Sequence, residues 1–447
     1  MSVKHLAIAG LLLLAAAVNW AAPPLLAHLG SLGAVEAPIA LSLWCVCLFL
    51  GFGWGASYLT EGTRLPNFSL QLLTGVLLHD ALSPLSHQLP SAVVLCTALA
   101  AIILKVGGDE IDRKQFGSVA YPTFMLAVLG YLLTFVIMYL ILGIIGVETR
   151  VAALLAAIIG STDPAALIPT LKRLRFRSQS RQLADMAVAE SAINDAVGAI
   201  ITTAVVAMIV SGTELDSVAA LFTHLAAPET LIQLGEQFLF GIVAGLVGWA
   251  CMYSYERLKS PLQQETAYDF GLTLVIPLFT FMLAQAIHGN GFLAAFVVGL
   301  MANYNHAAER FHLTLHAMEV KIESIGKPVI FMMVGPLVSL RDLLDTFWVG
   351  LIVSAAFIFI ARPLAVHLSL LPTRLPLRDR WFLCVVRETG VIPVVLAVIA
   401  TAQIPSLTSL LPLTAWVAVW TLSLLPAVTP WWAGKLGLTE QDSAISH

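Results

Sequence analysis

The chain has 447 residues, 59% of them hydrophobic and only 11% charged, with a formal net charge of −4. Soluble domains carry about 25% charged residues, so a water-soluble enzyme or binding domain is excluded and an all-α polytopic membrane protein is expected. The small net charge excludes little by itself, and no Gly-rich phosphate loop, HExxH motif, Gly-x-Ser-x-Gly elbow or nucleic-acid signature is present.

The N-terminus, MSVKHLAIAGLLLLAAAVNWAAPP, has a basic start, an apolar run and then small residues. That pattern fits a signal peptide, or a first membrane helix ended by Pro23 and Pro24. Windows of about 20 apolar residues then place spans near 5–22, 37–58, 66–80, 90–106, 119–145, 151–170, 183–211, 231–254, 268–287, 290–304, 320–340, 345–370, 381–402 and 408–433. The total is about fourteen spans.

Basic residues orient them. With the N-terminus inside, the inner loops hold Arg64; Lys105, Arg113 and Lys114; Lys172, Arg173, Arg175, Arg177 and Arg181; Arg257 and Lys259; Arg310; Arg374, Arg378 and Arg380; and Lys435. The outer loops hold Arg150 and Arg341. This bias predicts an integral protein of the cell (inner) membrane with both termini cytoplasmic. It also requires an even number of spans, which favours retaining the first segment as a helix.

Two spans carry helix breakers at their centres: AALLAAIIGSTDPAALIPTL, with Gly160, Pro164 and Pro169, and WFLCVVRETGVIPVVLAVIA, with Gly390 and Pro393. In lipid, a broken helix is tolerated only where it is buried in protein or lines a wet cavity. The breaks fall at matching places if 37–211 and 268–433 are two inverted repeats with crossing discontinuous helices. On that division 1–36 is an extra N-terminal helix and linker, 212–267 a linker helix, and 434–447 a short cytoplasmic tail.

The charge inside the apolar segments carries the chemistry. Asp195 lies mid-span, with Glu190, Ser191 and Asn194 on the same helix and Thr162 and Asp163 in the neighbouring broken one. An intramembrane acid is a functional-site candidate. A carboxylate at that depth can hold a proton or a small cation, and the two compete for the same oxygens. Ser191, Thr162 and carbonyls freed by the breaks are hard oxygen donors suited to an alkali cation. Arg362 lies level with Glu190, and each needs an opposite charge when buried, so a Glu190–Arg362 pair is expected.

Asp163 precedes a proline and suits a half-helix cap as well as ion contact. Arg387 and Glu388, in the second broken helix, could neutralise facing half-helix ends or pair with Asp163. Lys327 is a second counter-charge for the acids, or snorkels to the interface. His306, His312 and His316, with Glu309, read as a solvated cytoplasmic connector. Cys45, Cys47, Cys96, Cys251 and Cys384 have no metal-like spacing and read as free buried thiols.

The segments STDPAA, AESAINDA, IARPLAVHLS and, more loosely, VVRETGVIPVVLA resemble the monovalent cation/proton antiporter superfamily, over about residues 38–430. The Asn194-Asp195 pair resembles its Asn-Asp subgroup. The resemblance implies exchange of sodium, lithium or potassium for protons, electroneutrally, with no cofactor. It implies Asp195 as the shared carrier, Ser191 and Thr162 as cation ligands, Asn194 in place of a second aspartate, Glu190–Arg362 as the supporting pair, and Asp163 at the helix crossing. It further implies a homodimer in the lipid, with a scaffold domain and a core domain moving like an elevator. Arg387-Glu388-Thr389-Gly390 departs from the Arg-Gly common in relatives, and the first span is an addition to the commoner thirteen.

Overall fold

A computed structural model describes residues 3–63, 66–86, 89–111, 113–162, 170–171, 174–177, 180, 182–213, 217–259, 269–302 and 309–440. The described chain is nearly all helix, and its one β feature is an isolated bridge between Phe176 and Thr439. Among the described residues, eight helices are long and apolar enough to cross a membrane, and shorter apolar helices stand between them.

The first is α1 (Val3–Gly30), which corrects the expected stop at Pro23 and Pro24: both prolines lie inside the helix. A proline removes one backbone bond without forbidding the next turn, and the apolar Leu-Ala run continues past it. The helix α2 (Glu36–Thr60) follows, then the short α3 (Asn67–Leu77) and α4 (Leu89–Asp109). Lys105, expected in a loop, is instead fully buried inside α4. The apolar run on either side of it carries the helix onward, and the ammonium finds acids within the protein.

The helix α5 spans 113–144 and contains a wide π turn, Met125–Gly130. It leads to α6 (Thr149–Ile159), the first half of the first broken helix, and α7 (Gln182–Val210). The next elements are α8 (Pro228–Lys259), α9 (Asp269–Ala286), α10 (Gly291–Ala302) and α11 (Glu309–Met332). The start of α11 corrects the histidine connector, since His316 belongs to this helix. Its opening stretch, residues 309–323, holds no Gly, Pro or Ser and is good helix sequence.

After α11, residues 333–346 lead into α12 (Phe347–Ser369), with its own π turn Phe357–Ala361 immediately before Arg362. The second broken helix is α13 (Leu377–Val385) and α14 (Val391–Gln403), and α15 (Leu410–Lys435) ends the bundle. The two π turns stand in the helices just before the two broken ones. Such bulges recur at functional sites because they re-aim side chains by a fraction of a turn.

Small residues let these helices approach. A Cβ on Gly299 of α10 would lie against the backbone carbonyl of Lys105, and one on Gly108 would strike the Phe296 carbonyl. That contact is the close, small-residue packing expected where lipid supplies no hydrophobic drive between helices. The core runs through α6, α7, α14 and the middle of α15, whereas α1, α2 and α8 turn broad apolar faces outward. The five cysteines are free; Cys45, Cys96 and Cys384 are buried, while Cys47 and Cys251 are exposed rather than buried as expected, because they lie on the outward faces of α2 and α8.

Candidate functional site

The site is built where α7 passes the ends of both broken helices. Glu190, Ser191, Asn194 and Asp195 are all at most 2% exposed. The 3.6-residue repeat puts Glu190 beside Asn194 and Ser191 beside Asp195 on the inward side of α7. After Ile159 the first broken helix opens: Gly160, Ser161 and Thr162 leave the helical path. A Cβ on Gly160 would collide with the Tyr131 ring, so glycine leaves the room for that ring to pack there. Tyr131 itself donates to the Ala157 carbonyl at 2.6 Å.

Thr162 is tied to α7 by backbone and side chain. Its N–H donates to Asn194 Oδ1 at 3.0 Å, and Asn194 Nδ2 donates to Thr162 Oγ1 at 2.9 Å. The Thr162 and Ser191 hydroxyls lie 2.9 Å apart. Asn194 thus satisfies an N–H that the break leaves without a helical acceptor. A second aspartate at that position would have no N–H to give Thr162, which is a local physical reason for an amide.

The expected ion pair meets in space. Arg362 Nη1 donates to Glu190 Oε1 at 2.9 Å and Nη2 to Oε2 at 2.8 Å, a bidentate fork. Arg362 also donates to the Leu383 carbonyl through Nε, at 3.2 Å, and Nη2, at 2.9 Å. That carbonyl lies in the last turn of α13, where acceptors are orphaned and cations are favoured. Glu190 Oε1 accepts in addition from Asn194 Nδ2 at 3.2 Å. One fork therefore links α12, α13, α7 and, through Asn194, the first broken helix.

Arg387 supplies the reciprocal contact. Residues 386–390 are non-helical and buried. Arg387 Nη2 donates to the Gly160 carbonyl at the end of α6, and Nη1 lies 3.6 Å from Glu190 Oε1. Its guanidinium also stacks over Phe357, 5.4 Å from the ring centroid. The second broken helix thus caps the first half of the other, as helix dipoles favour. Asp195 is close enough to Arg387 for their charges to interact. Glu388 is buried in the same non-helical stretch, and the Thr389 N–H donates to Thr421 Oγ1 at 3.2 Å.

Not every expected residue converges. Lys327 pairs with Glu323, one turn earlier on α11. Asp163, Pro164 and Pro169, with His306 and the side chains of Glu309 and His312, lie outside the described residues. Tyr131 and Leu383 were not singled out by sequence reasoning, and the contact made by the Gly160 carbonyl was not foreseen. Leu383 and Gly160 act through their carbonyls, which no residue letter announces; Gly160 had a signal only as a breaker.

Helical segments interrupted at a buried acid, with charged side chains capping the half-helix ends, define the class: a membrane transport fold. Residues 45–435 match the transmembrane sodium/hydrogen exchanger family, and the chain belongs to it. It is 28% identical over 348 residues to the K(+)/H(+) antiporter NhaP of Alkalimonas amylolytica, covering 76% of this chain and 57% of that one. It is 31% identical over 312 residues to the K(+)/H(+) antiporter NhaP2 of Shewanella sp. (strain MR-4), covering 69% and 51%. The chain thus spans little more than half the length of these relatives. The solved sodium proton antiporter MjNhaP1 of Methanocaldococcus jannaschii shares the fold, with a TM-score of 0.71 at 22% identity, over 90% of this chain and 99% of that one.

Proposed function

We propose that this protein is a secondary antiporter that exchanges a monovalent cation for a proton, with Asp195 as the shared site. The observation that carries the reading is Asp195 buried beside the Thr162–Ser191–Asn194 network, between two interrupted helices. The hydroxyls of Thr162 and Ser191 supply neutral hard oxygens, and Asp195 supplies the charge. The Glu190–Arg362 fork neutralises Glu190 internally, so exchange at the site turns on the acid beside it. Asp163, next in sequence to Thr162, is assigned with Ser191, Thr162 and Asn194 as a further contributor on the family resemblance alone.

With one acid titrating per cycle, one cation replaces one proton and the exchange is electroneutral. Potassium and sodium, the cations for which relatives are named, both suit this donor set, and lithium suits the same oxygens. We assign the working unit as a homodimer in the cell membrane, both termini cytoplasmic, with helices of 37–211 and 268–433 as inverted repeats and alternating access by elevator movement of the core against the scaffold. No cofactor enters the cycle.

The test is a cation panel on the full chain in liposomes carrying an internal pH dye. Sodium, lithium or potassium added outside should drive proton movement that is indifferent to imposed voltage. Proton movement with none of the three would end the antiporter reading, and voltage-dependent rates would end electroneutrality. The second reading is a channel on the same scaffold; flux far above about 10³ per second, the upper range of typical turnover, would favour it.

A further inference from the structure

A second constellation lies away from the broken helices, where the end of α4 packs on α11. Asp109 Oδ2 stands 2.8 Å from His316 Nδ1. Glu319, three residues beyond His316 and on the same helix face, holds Lys105, which is one turn before Asp109 on α4. Glu256 of α8, fully buried, adds its field to those of Glu319 and Asp109 around the Lys105 ammonium. One donor atom each from Asp109, His316 and Glu319 lie within 4.8 Å of one another.

Two physical features point to a cation here. Asp109 is the last residue of α4, at the negative end of the helix dipole, and the three acids Asp109, Glu319 and Glu256 outnumber the Lys105 ammonium among them, so further positive charge is favoured there. His316 and Glu319 repeat, in reverse order, the i, i+3 Glu-His pairing that holds metals between facing helices of bundles. One imidazole nitrogen and two carboxylates suit a divalent first-row metal; alkali and alkaline-earth ions prefer all-oxygen sets. A four-coordinate ion at about 2.0–2.2 Å from its ligands spaces them about 3.4 Å apart, against separations here of up to 4.8 Å. Glu319 has two carboxylate oxygens and can serve Lys105 and a metal together. The His316 side chain is 28% exposed, which gives an entry path to an otherwise buried site.

We propose that Asp109, His316 and Glu319 form a binding site for a divalent transition-metal cation of the Zn2+ or Mn2+ class, tying α4 to α11. The site shares no residue with the exchange site, and it stands or falls independently of the antiporter reading.

The probe is Co2+ titrated into the purified, chelator-stripped full chain, followed by its visible absorption and by calorimetry, with Zn2+ as competitor. The expected result is saturable binding of one Co2+ per chain, displaced by Zn2+. His316→Ala and Asp109→Asn should weaken it by about tenfold or more, while His312→Ala binds as wild type. Lys105→Met should tighten it, since a neighbouring positive charge is removed; a merely structural lysine predicts no tightening. Monodispersity in size-exclusion chromatography and a thermal melt show that each variant is folded. Absence of Co2+ binding by folded wild type, binding undisturbed by His316→Ala, binding lost with His312→Ala alone, or weaker binding in folded Lys105→Met overturns the proposal.

Discussion

Two ion pairs in this molecule are buried to the same degree. Arg362–Glu190 and Lys105–Glu319 each have side chains 1% and 2% exposed. Their surroundings differ. Arg362 presents a planar fork whose donors are spent on both Glu190 oxygens and the Leu383 carbonyl, so the geometry is over-determined. Lys105 presents a compact point charge shared among Glu319, Asp109 and Glu256, so several arrangements satisfy it. The first pair sits between interrupted helices and holds Asn194 against Thr162. The second sits on uninterrupted helices, whose backbone needs nothing from it. Equal burial therefore does not mean equal rigidity: the guanidinium fixes a site, and the ammonium leaves one adjustable.

The sharpest way to break this contrast is to remove the group that the fork supports. Asp195→Asn keeps the size and shape of the side chain but carries no charge to balance the cation's. Dye-detected exchange in liposomes should drop to that of empty vesicles; activity near wild type would refute the exchange site. Next comes Glu190→Gln, which leaves Arg362 buried without its acid. Breaking one partner of a buried pair costs about 3–5 kcal/mol, to be read as a large fall in thermal or denaturant midpoint.

Glu319→Gln tests the other side of the comparison. Lys105 keeps Asp109 and Glu256 nearby, so the loss should be about 1–3 kcal/mol, clearly below that of Glu190→Gln in the same melt. Equal losses would mean that the two pairs are equally locked. The smallest effect lies in an exposed region that serves as a baseline. Ser339 and Asp342 form a capping box at the start of the short helix Leu340–Asp345. The Ser339 hydroxyl bond holds the Asp342 carboxyl below its ordinary value of 3.8. Its stabilisation is therefore complete above that value and is lost as pH falls through the lower folded value. Asp342→Asn should cost about 0.5 kcal/mol or less at neutral pH, as exposed charges are screened, and the difference from wild type should vanish at pH below that folded value.

Much of the site was legible in the letters. An acid flanked by polar residues in an apolar run has few uses in a membrane, and the depths of Glu190 and Arg362 matched along their helices. Legibility ended where backbone atoms became partners. Arg387 was read only as a charge near a break, yet what it holds is the Gly160 carbonyl, exposed because α6 stops there. Lys105 was counted with loop residues since a lysine near the end of an apolar window normally marks an interface. Its burial depends on acids that arrive on α8 and α11, far away in sequence. His316 was misplaced for a different reason: helix α11 begins earlier than hydropathy indicates, because its opening turns carry charged and histidine residues that an apolar window does not count.

Composition and periodicity alone determined that this chain is a helical membrane protein with two interrupted segments, since lipid offers no partner to a bare backbone and the apolar runs are long enough to be counted. Which charges meet was decided only by tertiary structure. Pairing energies depend on separations of a few ångströms between helices hundreds of residues apart, and nothing in the order of the residues encodes how those helices cross.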